Sequence, residues 1–125
     1  MRVGALIAFQ APAAAFPYAD GHMGYLRRVP VLKSVAAVSG DQVCTDHGRL
    51  TINGRVRAPV LRRDRLGAAL PRWEGCRRLQ DGEVFVFSDR VPNSFDSRYF
   101  GPVNRAEIVG VFRPLTPSLT HPGDR

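Results

Sequence analysis

The sequence predicts an all-β domain, a folded sheet or partly open barrel with little helix. Three observations carry that expectation. There are 12 glycines and 10 prolines among 125 residues, a composition that suits strands joined by turns better than a helical bundle. Helical periodicity is weak throughout. Its best stretch, Leu61 to Leu70, is rich in arginine and interrupted by Gly67, which predicts at most a short turn. Short apolar runs bounded by turn residues recur along the chain.

The elements follow in order. Val3 to Phe9 reads as a strand running into a Pro/Ala loop. It resembles an export signal only superficially, because its charged start is Arg2 alone and its apolar core is very short. The apolar stretch Val3 to Tyr18 contains Gln10, Pro12 and Pro17, and it falls short of the roughly 20 residues that span a bilayer. Val29 to Val38 (VPVLKSVAAV) reads as a strand with Pro30 near its start, where a strand tolerates proline. Gly40-Asp41 marks a turn, and Gln42 to Thr45 begins another strand. Leu50 to Ile52 and Arg55 to Ala58 flank Asn53-Gly54, the strongest short hairpin signal. Glu83 to Phe87 and Glu107 to Phe112 are the last strands. Residues 1–114 form one domain, and 115–125 are expected to be a flexible tail.

The formal charge is +7, with 18 basic residues of which Lys33 is the single lysine. The arginines are scattered, with short clusters at Arg27-Arg28, Arg62 to Arg65 and Arg77-Arg78. A nucleic-acid surface gathers its charge on one element and interleaves aromatics, so no nucleic-acid partner is expected. No cofactor and no metal are expected either. Cys44 and Cys76 cannot complete a zinc site, and no histidine pair stands at ligand spacing beside them. His22, His47 and His121 are isolated and read as surface residues. The cysteines are either two free thiols or one disulfide.

Lys33 sits among apolar neighbours. In a buried strand its ammonium loses hydration and its pKa falls, which makes the amine a usable base near neutral pH. Such a lysine can take the proton from a serine hydroxyl. The competing reading is strand alternation that turns Lys33 to solvent. A second feature is the loop SDRVPNSFDSRYFG, Ser88 to Gly101. It is dense in hydrogen-bonding groups, and Asp96 or Asp89 is placed to pair with Arg98. The competing reading there is a plain surface loop with Asx-turns.

Together these segments carry a resemblance. LKSVAAVSGDQVC is similar to the lysine box of type I signal peptidases, in which a base lysine is followed by Gly-Asp. NSFDSRYFG is similar to the downstream box of the same family. Cys44 after the Gly-Asp turn, LPRWEGCRRL and SFDSRYFGPV resemble the conjugative-transfer, TraF-type signal peptidases. The resemblance runs from about Arg2 to Pro114. It implies the all-β signal-peptidase fold without its first strand or two, and a serine endopeptidase with a Ser/Lys dyad that processes exported precursors in conjugative transfer or pilus maturation. Lys33 would be the general base. Ser94 would hold its amine, Asp96 and Arg98 would stiffen the loop, and Gly40 and Asp41 would close the turn. Val29, Val31 and Leu32 would lie beside an extended polypeptide substrate. Cys44 and Cys76 would form a disulfide. The implied location is the periplasmic face of the inner membrane, reached through an N-terminal anchor.

One feature departs from the family pattern. The family's nucleophilic serine lies upstream of the lysine, whereas the serines here are Ser34, Ser39, Ser88, Ser94, Ser97 and Ser118. Ser34 adjoins Lys33 and projects to the opposite face of a strand. The nucleophile and the anchor are therefore expected outside these 125 residues. The alternatives are a non-catalytic peptide-binding relic of the same fold, a serine supplied by another chain, and, further off, a basic nucleic-acid-binding accessory protein.

Overall fold

The computed structural model describes residues 1–88 and 94–112, with the side chain of His22 left out. Among these residues nine strands form two antiparallel sheets. The strands are β1 (Leu6–Phe9), β2 (Val31–Ala37), β3 (Gln42–Cys44), β4 (Arg49–Ile52), β5 (Arg55–Pro59), β6 (Cys76–Arg78), β7 (Glu83–Val86), β8 (Val103–Asn104) and β9 (Ile108–Phe112). One sheet has the order β8-β7-β2-β1-β9 and the other β5-β4-β3-β6. Neither order closes on itself, so the described strands make no closed barrel. Two short helices, α1 (Tyr18–His22) and α2 (Ser97–Phe100), and four 3₁₀ turns complete the described elements.

β7 and the second half of β2, Val35 to Ala37, form the spine of the molecule because both of their faces are buried. Val84 and Val86 join Ile7, Phe9, Leu26, Val35 and Phe100 in one apolar cluster. Phe85 and Phe87 join Ala36, Ala37, Val43, Leu50 and Ile52 in a second. A register shift in β2 between Val35 and Ala37 lets successive residues serve both clusters. The β4–β5 hairpin turns at Asn53-Gly54, both with positive φ, as this dipeptide favours. The turn after β2 is fixed by Asp41, whose carboxylate accepts the Val38 N–H at 2.9 Å and an Asn53 amide N–H at 3.0 Å.

Several expectations need correction. The first strand begins at Leu6, not Val3, because Gly4 at φ 95° turns the chain and the Ala5 N–H bonds to the Arg2 carbonyl. The second begins at Val31, not Val29. The Val29 N–H is already given to the Tyr25 carbonyl at 2.9 Å, which closes a helical turn there. The Pro/Ala loop contains the 3₁₀ turn Ala13–Ala15 and leads into α1. The downstream loop contains a helical turn, α2, whose N-cap Asp96 accepts the Arg98 N–H at 3.1 Å. β6 and β8 were not expected at all. The expected tail, 115–125, lies outside the described residues, as do Asp89, Asn93, Ser118 and His121.

One local device braces the second sheet internally and another ties it to the first. Cys44 and Cys76 face each other across β3 and β6 and are joined by a disulfide, with a Cα–Cα distance of 4.1 Å. The ring so formed contains the whole 61–70 loop. Replacing both cysteines by serine is expected to lower stability by about 3–4 kcal/mol, from the closure entropy of a ring this size. Urea unfolding with and without reductant checks this, and coincident midpoints would contradict it. Near the same place Trp73 packs on Phe85, with ring centroids 5.6 Å apart, and its carbonyl accepts the Thr45 hydroxyl. Gly101, at φ 84°, lies under the indole. A Cβ added there would stand 2.9 Å from Trp73 Cδ1. Gly101→Ala is therefore expected to cost about 1–3 kcal/mol through overpacking and backbone strain. The shift in thermal midpoint reads it, and an unchanged midpoint would mean that Trp73 does not sit there.

Candidate active site

Lys33 lies in the middle of β2, in register with Ile7 of β1. Ile7 is fully buried in the first cluster, and cross-strand partners share a face. Lys33 therefore points inward with Val31 and Val35, while Leu32 and Ser34 are exposed on the other face. Alternation does operate in this strand, and it turns the lysine toward the protein. Half-buried there, the Lys33 amine donates to Ser94 Oγ at 2.9 Å. Its pKa is pulled below the ordinary value, first by burial and then by the nearby Arg98 guanidinium, with Asp96 acting in the opposite sense.

Ser94 is held from behind. Arg98 reaches back to it and donates from Nη2 to the Ser94 carbonyl at 3.2 Å. The same guanidinium forms a two-point pair with Asp96, Nε to Oδ1 at 2.9 Å and Nη2 to Oδ2 at 3.0 Å. Its Nη1 donates to the Pro59 carbonyl of β5 at 2.8 Å. Its flat face lies 4.8 Å from the centre of the Phe87 ring and 5.3 Å from that of Tyr99. Asp96 and Arg98 are almost completely buried, at 0% and 2% side-chain exposure, and a buried pair persists only with this degree of hydrogen bonding. One arginine thus ties together β5, the segment before α2 and, through Ser94, the lysine on β2. The Ser97 hydroxyl adds a further tie by accepting the Val86 N–H at 2.9 Å.

Lys33 and Ser94 open onto a cleft of about 500 Å³, walled by Tyr18, Leu26, Val31 and Phe95 among others. On the side of β2 away from β1, β7 pairs only from Val35 onward. Val31 to Lys33 have no strand partner on that side among the described residues. The structure therefore brings together Lys33, Ser94, Asp96 and Arg98, with Val31 beside them. Leu32 lies on the same strand but its side chain faces outward, and Val29 precedes the strand. Gly40 and Asp41 serve the turn at the root of the second sheet, where Gly40 bonds to Leu79 and Arg78. Cys44 and Cys76 cross-link that sheet. The sequence reasoning missed the aromatic wall of the cleft: Phe95 stacks on Tyr99 at 6.0 Å and packs against Phe100 at 5.3 Å and Tyr18 at 5.1 Å. The adjacent aromatics in SFDSRYFG were the available signal for all but Tyr18.

Comparison with known proteins identifies the family. Residues 1–115 match the family model described as signal peptidase, peptidase S26. The chain is 36% identical over 101 residues to the plasmid transfer protein TraF of Escherichia coli, covering 78% of this chain and 54% of that protein. It is 31% identical over 91 residues to signal peptidase I V of Bacillus subtilis, covering 65% of this chain and 54% of that one. This chain thus spans about half the length of these relatives. The crystal structure of a signal peptidase I from Enterococcus faecalis superposes with a TM-score of 0.50 over 90% of this chain and 97% of that one, at 23% identity, and so shares the fold. Among the described residues no helix is long and apolar enough to cross a membrane. With a matching family model over nearly its whole length, the chain belongs to the signal peptidase family, peptidase S26, as a TraF-type member.

Proposed function

We propose that this chain is the base-bearing part of a serine endopeptidase that cuts exported precursor polypeptides, with Lys33 as its general base. The observation that carries the reading is the half-buried amine of a single lysine, fixed by Ser94 and facing an open cleft. The attacking hydroxyl comes from a serine N-terminal to residue 1. It adds to the scissile carbonyl while Lys33 Nζ takes its proton. Lys33 then gives that proton to the departing amine, leaving an acyl ester on the serine. Water, deprotonated by Lys33 in turn, hydrolyses the ester.

Ser94 is the hydroxyl nearest the amine, but it is only 5% exposed and cannot meet an incoming carbonyl. Its role in this scheme is to accept a hydrogen bond from Lys33 and hold the free lone pair toward the nucleophile. The substrate lies extended along the unpaired side of β2, taking backbone hydrogen bonds at Leu32, whose N–H and C=O point away from β1 as the Ser34 carbonyl does. Family membership favours a precursor of a conjugation apparatus as substrate and a membrane-facing periplasmic setting, and the disulfide suits an oxidising compartment. Cleavage of a precursor peptide should require both Lys33 and sequence upstream of Met1. The test compares the 125-residue chain with a version extended by its native upstream sequence. Cleavage by the extended protein alone supports the proposal. Cleavage by the short chain would sink the assignment of an upstream nucleophile, and no cleavage by either would sink the catalytic reading.

A further inference from the structure

The cleft beside Lys33 has two walls that are far apart in sequence and tied together by side-chain hydrogen bonds. Tyr18 on α1 and Asp64 in the 61–70 loop both line it, and the Tyr18 hydroxyl donates to Asp64 Oδ2 at 2.8 Å. Asp64 is already held by its own loop, since its Oδ1 accepts the N–H groups of Leu66 and Ala68, each at 2.9 Å. Burial, and then the bond to Asp64, push the Tyr18 phenol up to about 12, so it remains a neutral donor across the physiological range. A second tie runs parallel to the first: the Tyr99 hydroxyl accepts the Leu61 N–H at 3.1 Å. Between these ties the Tyr18 and Tyr99 rings both pack on Phe95, at 5.1 and 6.0 Å. Phe95 directly follows Ser94, which holds the lysine.

The consequence is mechanical. The Tyr99 tie anchors the start of the loop, and Tyr18 anchors its middle to the opposite wall. Packed aromatic walls yield little unless such a tie is released. Resting on the reading of the cleft as a peptide site, we infer that the Tyr18–Asp64 bond is a clasp that sets the separation of the cleft walls, and that Tyr18 is a positioning residue which makes the site discriminate polypeptides by side-chain bulk. The proposed dyad chemistry routes no proton through this bond.

The test uses two fluorescent extended peptides of equal length, one carrying alanine and one leucine at the positions expected before the cut. Their affinities for the 125-residue chain are measured by anisotropy, for the unaltered protein, Tyr18→Phe and Asp64→Asn. The unaltered chain should prefer the alanine peptide. In both variants that preference should fall by about threefold to tenfold, as the loss of one hydrogen bond of ordinary strength dictates. The ¹⁵N titration of Lys33 should stay in place in Tyr18→Phe, whereas general loosening of the site would move it. An unchanged preference in both variants overturns the inference, and so does failure of the unaltered chain to bind either peptide. A reduced preference in the variants, together with absence of cleavage by the upstream-extended protein, leaves the clasp standing and removes only the catalytic reading.

Discussion

Lys33→Ala in a protein extended to include its upstream serine is expected to lower cleavage by about 10³–10⁴-fold, the usual loss when the base of a serine dyad is removed. KM should change little, because the Lys33 side chain is not part of the backbone ladder that binds substrate. The pH profile follows from the direction of its shift. Burial favours the neutral amine, so the active form of Lys33 accumulates as pH rises through a value below the ordinary 10.5. The kcat/KM profile should therefore climb with pH, with its midpoint under that value. Ser94→Ala frees the amine from its 2.9 Å partner, and it should lower kcat without moving KM. Lys33→Ala with full activity would remove the lysine from the mechanism.

Arg98→Ala is expected to be the most destabilising single change. It strips the buried Asp96 carboxylate of its counter-ion and leaves the carbonyls of Ser94 and Pro59 without their donor. Breaking a buried pair from one side costs about 3–5 kcal/mol, against about 0–1 kcal/mol for an exposed pair such as Arg72 with Glu74. Urea unfolding measures the difference, and a loss near 1 kcal/mol or less would mean that the pair is not buried as described. The effect reaches the site, because Ser94 is the end of the chain of contacts that starts at Arg98. A variant in which Asp96 and Arg98 are both replaced by apolar residues of similar volume should recover much of the stability. It should still lack the hold on the Ser94 carbonyl, and so it should stay weakly active.

The strands that bury one face were legible in the sequence, and the Asn53-Gly54 hairpin was legible from its turn alone. The spine was harder. In β2 the residues Val35, Ala36 and Ala37 are all buried, in two different clusters, so alternation disappears just past Lys33. Whether the lysine faced inward was settled by its partner Ile7 across the sheet, a contact 26 residues back that no local pattern encodes. β6 reads as an exposed arginine-rich connection, and it is a strand because β3 and a disulfide hold it. α2 buries Ser97 and Arg98, polar residues that a local reading assigns to the surface. Their burial depends on the Pro59 carbonyl and the Val86 amide, both far away in the chain. The Tyr18–Asp64 clasp spans 46 residues and has no sequence signature. The two boxes that carry the family resemblance marked Lys33, Ser94, Asp96 and Arg98, whereas the walls of the cleft around them emerge only from tertiary packing.

The central claim is that Lys33 is an amine whose environment prepares it to act as a base, and the composition makes this directly measurable. Lys33 is the single lysine of the chain, so ¹⁵N-lysine labelling yields one side-chain resonance that titrates without overlap. A midpoint clearly below 10.5, moving upward when Ser94→Ala and Arg98→Ala open the site to water, is the predicted result. A midpoint at or above 10.5 in the unaltered chain would contradict the account, because it would describe a solvated surface lysine.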